Sequence, residues 1–259
     1  MSIGDAGVIF YDSRNPFEFF HILNELETTD VQEVYGTLIF PEQKKEKYPL
    51  VICIHGSLGW RGHHHEHIVN FLESGFAVFR VHSFDARQVT SIVEDQMQVT
   101  LATTLTDCFM ALKLLTKHPD IDNKNISIAG WSLGGSTALY AAWEPLAEKL
   151  APDGEKFSSH LAFYPGAYIW PEEMRWSKAP ILTLIWLPEV GPVLSNTSLR
   201  VITIFTGRLD FLDKRAVTES KYEGILPPNP PPISRGVTLI SDTSIPKIFD
   251  TLSLTLNAP

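Results

Sequence analysis

Cysteine is scarce in this chain of 259 residues: Cys53 and Cys108 are its two, each inside an apolar stretch. Buried free thiols in a reducing compartment explain them better than a disulfide framework does. Positive charge is also scarce. Lys and Arg number 21 against 30 Asp and Glu, a formal charge of −9. The densest basic run, Lys44, Lys45 and Lys47, is interrupted by Glu46. That balance argues against nucleic acid and anionic membrane surfaces as partners. No apolar run reaches the ~18 residues of a membrane span without glycine, serine or charge intruding. Residues 1–7 lack the basic and apolar regions of a signal peptide, so the expected location is cytoplasmic. No internal repeat, dinucleotide-binding fingerprint or phosphate-binding loop occurs, and no cofactor is expected.

Hydrophobic residues make up 44% of the chain, enough for one large α/β domain over residues 1–259. Residues 31–41 read as an alternating strand. Residues 48–54 form a continuous apolar strand of the kind buried on both faces in a parallel sheet. Residues 66–74 read as a helix stopped by Gly75, and residues 76–81 as the next strand. Residues 101–117 carry Leu101, Leu105, Cys108, Phe109, Leu112 and Leu115 at helical spacing. Strand 126–129, a helix to about residue 150, and strands over 157–164 and 180–187 follow. The alternation predicts a mostly parallel central sheet with helices on both faces. Beyond that the pattern loosens. Residues 181–186 and 199–205 compete for one strand, and 236–241 could form a final one. The proline-rich residues 226–232 fit a surface loop and neither a helix nor a central strand.

The most informative stretch is NISIAGWSLGG, residues 125–135. A β-branched run ends at Gly130, Ser132 follows between Gly130 and Gly134, and a helix-forming run comes next. This is the strand–turn–helix setting of a G-x-S-x-G nucleophile elbow. The serine needs a sharp turn to project above the sheet, and the glycines let strand and helix pass closely. The helix N-terminus behind it favours an oxyanion forming there.

Several motifs fit one family. VICIHGS at 51–57, GFAVFR at 75–80, Ser83 and Phe84 with Arg87, PDID at 119–122, the elbow, and AFYPG at 162–166 resemble the dienelactone hydrolase-like branch of the α/β-hydrolase fold. They occur in family order over about residues 30–170, and the likeness fades beyond Pro180, where the chain has diverged. The family's prototype uses cysteine where this chain has Ser132, as in relatives that look like esterases. The resemblance implies an ester or lactone of a small molecule as substrate. Ser132 would be the nucleophile, and the backbone N–H groups of Ser57 and Leu133 would form the oxyanion hole. Arg87 would either pair with a substrate carboxylate or brace its loop. His55 would orient the loop it begins.

In this fold the acid follows the nucleophile and the histidine comes last. Asp210, after a strand and Gly207, is the preferred acid, ahead of Glu189 and then Asp213. No histidine follows His160, and Lys247 occupies the position where the family carries one. A lysine could be the base only if burial lowered its pKa by several units. His82, at a strand end, is the other candidate base. The alternative is a catalytically impaired descendant that binds a small ligand or a protein. The run His63, His64, His65 and His67 invites a metal reading, but no further ligand set completes it, and none is expected to bind.

Overall fold

The computed structural model describes residues 6–167, 169, 171–173, 175–184, 201–204 and 237–240. A seven-stranded sheet runs through it. Its strands are β1 (Ala6–Arg14), β2 (Val31–Ile39), β3 (Tyr48–Ile54), β4 (Ala77–Val81), β5 (Ile121–Trp131), β6 (His160–Phe163) and β7 (Ile181–Leu184), in spatial order β1-β2-β4-β3-β5-β6-β7. β2 pairs antiparallel with both β1 and β4, and the strands from β4 to β7 are parallel. Among the described residues four α-helices accompany them: α1 (Gly62–Glu73), α2 (Leu101–Leu115), α3 (Leu133–Tyr140) and α4 (Glu144–Leu150). Separately, β8 (Val201–Ile204) and β9 (Val237–Ile240) pair antiparallel.

The central strands explain their own sequences. In β3, Leu50, Ile52 and Ile54 face one core, while Val51 and Cys53 face another. The first core is closed by α2 through Leu105, Phe109 and Leu112, and by Leu146 and Leu150 of α4. The second is closed by Ile68 and Phe71 of α1. Helices therefore cover both faces, as the continuous apolar strands demand. Both thiols are buried and free. No helix among the described residues is long and apolar enough to cross a membrane.

Two sequence expectations shift, and β1 is a strand that the sequence reading does not include. The helix after the elbow is two helices, broken at residues 141–143, because Pro145 occupies the first turn of α4 and cannot sit inside a continuing helix. The sixth strand starts at His160 rather than at Phe157, whose ring instead packs edge-on against Phe109 at 5.2 Å. β1 carries no alternation of residue type, since Val8, Ile9, Phe10 and Tyr11 are all apolar, although its burial alternates, with Val8 and Phe10 exposed and Tyr11 and Ser13 buried. Only its nine-residue register with β2 reveals it as a strand. Of the two runs competing for a strand, Ile181–Leu184 takes the place in the main sheet. The proline-rich 226–232 segment lies outside the described residues.

Candidate active site

Ser132 stands between the end of β5 and the start of α3, with φ 56° and ψ −111°. A non-glycine residue there carries strain of order 1–3 kcal/mol, held only because its surroundings leave no alternative. Those surroundings are backbone. A Cβ on Gly130 would overlap the Gly134 carbonyl, and one on Gly134 would overlap the carbonyls of Ile54 and His55. The Ser132 N–H donates to Phe163 O of β6 at 3.0 Å, and Ser136 N–H donates to Ser132 O at 2.8 Å. The side chain is exposed, and no described residue hydrogen-bonds to its hydroxyl.

The turn after β3 lies against it. A Cβ on Gly56 would come within 3.3 Å of Ser132 Cβ. The Gly56 carbonyl accepts from Gly59 N–H at 2.9 Å and from His55 Nδ1 at 2.9 Å. A carbonyl cannot donate, so His55 carries its proton on Nδ1. In a trans peptide N–H and C=O point oppositely. Fixing the Gly56 carbonyl therefore aims the Ser57 N–H the other way. The Ser57 carbonyl is held in turn by Ile92 N–H at 2.9 Å and the Ser91 hydroxyl at 3.3 Å. Leu133 opens α3 and packs against the buried cluster of Phe84, Ile92 and Val99.

The BD-FAE family model, of an esterase family of the α/β-hydrolase type, matches residues 37–162. That stretch holds β3, the turn after it, the whole elbow and most of the parallel sheet in the order found here. The strand order, with β2 antiparallel to both neighbours and the remaining strands parallel, is that of the α/β-hydrolase fold. No curated protein matches the sequence. Among solved structures it is similar to the esterase Est22, at 22% identity over 65% of this chain and 46% of that one, with a TM-score of 0.42. It is also similar to Est1E from Butyrivibrio proteoclasticus, solved with ferulic acid bound, at 24% identity over 53% and 51%, TM-score 0.42. A dienelactone hydrolase-like protein from Klebsiella pneumoniae gives 16% identity over 69% and 72%, TM-score 0.43. The chain spans about half the length of the two esterases.

Within this hydrolase fold the sequence-selected residues separate. Ser57, Leu133 and Ser132 come together at the ends of β3 and β5. Asp210, Glu189, Asp213 and Lys247 lie outside the described residues. His82 does not reach Ser132. Its Nδ1 donates to Asp85 at 2.9 Å, and its Nε2 meets the Thr37 hydroxyl at 3.1 Å. Its ring stacks on Tyr35 at 4.8 Å. Both nitrogens are engaged, which leaves no lone pair for the serine. Arg87 is likewise turned inward. Its Nη1 and Nη2 fork onto Asp107 at 2.8 and 3.0 Å, and Nε donates to Asn15 at 2.8 Å. Of the two roles the sequence left open, this geometry fits the brace and takes the guanidinium away from a substrate carboxylate. Sequence reasoning missed its partner, although Asp107 is the one charged residue from Leu101 to Leu112.

The histidine run also disperses. His64 turns in and accepts from Arg61 N–H at 2.9 Å, and His67 packs against both Trp131 and Phe163, which stack on each other. No group of three metal-ligating side chains forms among the described residues.

Burial keeps several of these imidazoles neutral. It pushes His55 down to about 4 and His64 to about 3. His160, donating from Nδ1 to Ala138 O at 3.1 Å, is pushed down to about 4. In the unfolded chain each titrates near 6.5. Between 6.5 and about 4 the unfolded chain binds more protons, so stability falls as pH drops through that window. Each such histidine contributes a slope of up to about 1.4 kcal/mol per pH unit. Thermal melts should show a midpoint that declines from pH 7 to pH 4.5. In His160→Gln, which keeps a donor for Ala138, the decline should be shallower. Parallel curves would show that His160 takes up no extra proton on unfolding.

Proposed function

We propose that this chain is a serine carboxylic-ester hydrolase of the dienelactone hydrolase type that acts on small-molecule esters or lactones. One observation carries the reading: an exposed serine at positive φ faces a turn whose peptide is locked by two hydrogen bonds to the Gly56 carbonyl. Strain is maintained at such a position when it aims a reacting group. Ser132 Oγ attacks the substrate carbonyl carbon. The carbonyl oxygen becomes an oxyanion that accepts hydrogen bonds from the N–H groups of Ser57 and Leu133. The C–O bond to the alcohol breaks, leaving an acyl group on Ser132, and the serine's proton goes to the leaving alkoxide. Water then attacks the acyl carbon, the bond from that carbon to Ser132 Oγ breaks, Oγ regains a proton from the water, and the acid leaves. Asp210 orients the base that carries the proton; Lys247, at the family's histidine position, can take that role only where burial lowers its pKa by several units.

Arg87 is committed to Asp107, which favours neutral esters over carboxylate-bearing ones. The exposed Leu58 and Tyr164, next to Ser57 and Phe163 respectively, offer such a substrate apolar contact. The buried free thiols suit a cytoplasmic setting.

Treatment with a fluorophosphonate, followed by peptide mass spectrometry, tests the reading. The adduct should sit on Ser132. A chain that takes up no label, or takes it elsewhere, is not a Ser132 hydrolase. The engagement of His82 by Asp85 and Thr37 favours a second reading, a descendant that binds an ester without turning it over. Under that reading labelling stays at background while p-nitrophenyl esters still bind.

A further inference from the structure

We infer that the Arg87–Asp107 ion pair, together with Ser91, positions the oxyanion loop, so that these three are positioning residues for the hydrolysis proposed above. The inference rests on that hydrolase reading for its catalytic meaning, but its mechanics are a chain of contacts. Asp107 is fully buried on α2. Its Oδ1 accepts from the Ser13 hydroxyl of β1 at 2.5 Å and from Arg87 Nη2, while its Oδ2 accepts from Arg87 Nη1. Arg87 Nη1 also donates to the Ser83 carbonyl at 2.8 Å. One guanidinium thus clamps the segment after β4 to two other elements.

That segment is tightly wound. Ala86 N–H donates to His82 O, Arg87 N–H and Val89 N–H both donate to Phe84 O, and Gln88 sits at φ 57°. It leaves little slack between the clamp and residues 90–92. Those residues grip the turn after β3. Ile92 N–H and the Ser91 hydroxyl both donate to the Ser57 carbonyl. The Thr90 carbonyl lies where a Cβ on Gly59 would come within 3.2 Å. Phe84, fully buried in the same segment, packs edge-on against the His55 ring at 4.3 Å. The clamp therefore acts on both ends of the loop that presents the Ser57 N–H. A bidentate fork fixes both position and plane, which a single ammonium cannot do.

Two variants of the full chain test this, Ser91→Ala and Arg87→Lys. Ser91→Ala removes one bond to the Ser57 carbonyl at a partly exposed site, so it should fold normally. Hydrogen–deuterium exchange is read over the peptide 54–60, with the peptide 144–150 as internal reference, beside kcat and KM for p-nitrophenyl acetate. Exchange at 54–60 should quicken in both variants, with 144–150 unchanged. In Arg87→Lys kcat should fall by roughly 10- to 100-fold, the scale of an ångström-level misplacement, with KM within about twofold. Ser91→Ala should fall by less. Unchanged exchange at 54–60 in both variants would overturn the inference whatever the activities do. A rise in KM at constant kcat would also overturn it, since that is the signature of a substrate-binding arginine. If wild type shows no turnover that depends on Ser132, the hydrolase reading fails on its own, and the exchange data still decide whether the clamp reaches the loop.

Discussion

Alanine at position 132 is expected to lower p-nitrophenyl acetate hydrolysis by more than about 10³-fold while leaving the protein folded. The two halves of that expectation have different causes. The hydroxyl is exposed and hydrogen-bonds to no described residue, so removing it takes nothing from the fold. Alanine tolerates φ 56° about as poorly as serine does, so the strain is unchanged and stability should stay within about 0.5 kcal/mol. The rate has no such substitute, because alanine carries no oxygen to attack the carbonyl. Residual hydrolysis would come from the oxyanion donors acting on water. Equal rates in wild type and Ser132→Ala, measured on protein of equal melting temperature, would remove the serine from the mechanism.

Asp107→Ala is expected to destabilise the chain by about 3–5 kcal/mol, lowering the melting temperature by on the order of 10 °C. The carboxylate is wholly buried and accepts from three donors. Truncation leaves the Arg87 guanidinium without its counter-charge and the Ser13 hydroxyl without its acceptor. An uncompensated buried charge costs far more than a broken surface pair, whose loss is worth ~0–1 kcal/mol. Asp107→Asn should fall between, since the amide keeps the shape and one acceptor oxygen. A contrast checks the argument. Glu27→Ala, which removes the exposed partner of Arg14, should move the melting temperature hardly at all. If the two substitutions cost the same, the buried network is not the stabilising element it is taken for.

The legible parts of the molecule are those where one local rule decides. The continuous apolar run at 48–54 could only be a covered parallel strand, and it is. Residues 101–115 form the helix that their spacing predicts, started by the Thr100 hydroxyl accepting Thr103 N–H at 3.3 Å. The elbow was readable because its glycines are required by backbone contact, a constraint that leaves a mark in sequence. What the sequence hid was long-range. Arg87 and Asp107 are 20 residues apart, and Ser13 is 94 from Asp107, so no window joins them. His82 looked available because its partners, Thr37 and Asp85, come from another strand and from the loop beyond. β1 was missed because an edge strand with apolar residues on both sides has no period to detect. The acid and base candidates, Asp210 and Lys247, stand on family order alone, since they fall outside the described residues.

The close approach of Gly134 to the carbonyls at the end of β3 has a consequence for engineering. The two passages of main chain are keyed into each other like teeth of adjoining gears, though some 80 residues of sequence part them. Chimeras assembled from this chain and a protein of the same fold should therefore tolerate junctions before residue 50 or after residue 140, and lose solubility when a junction divides the keyed pair.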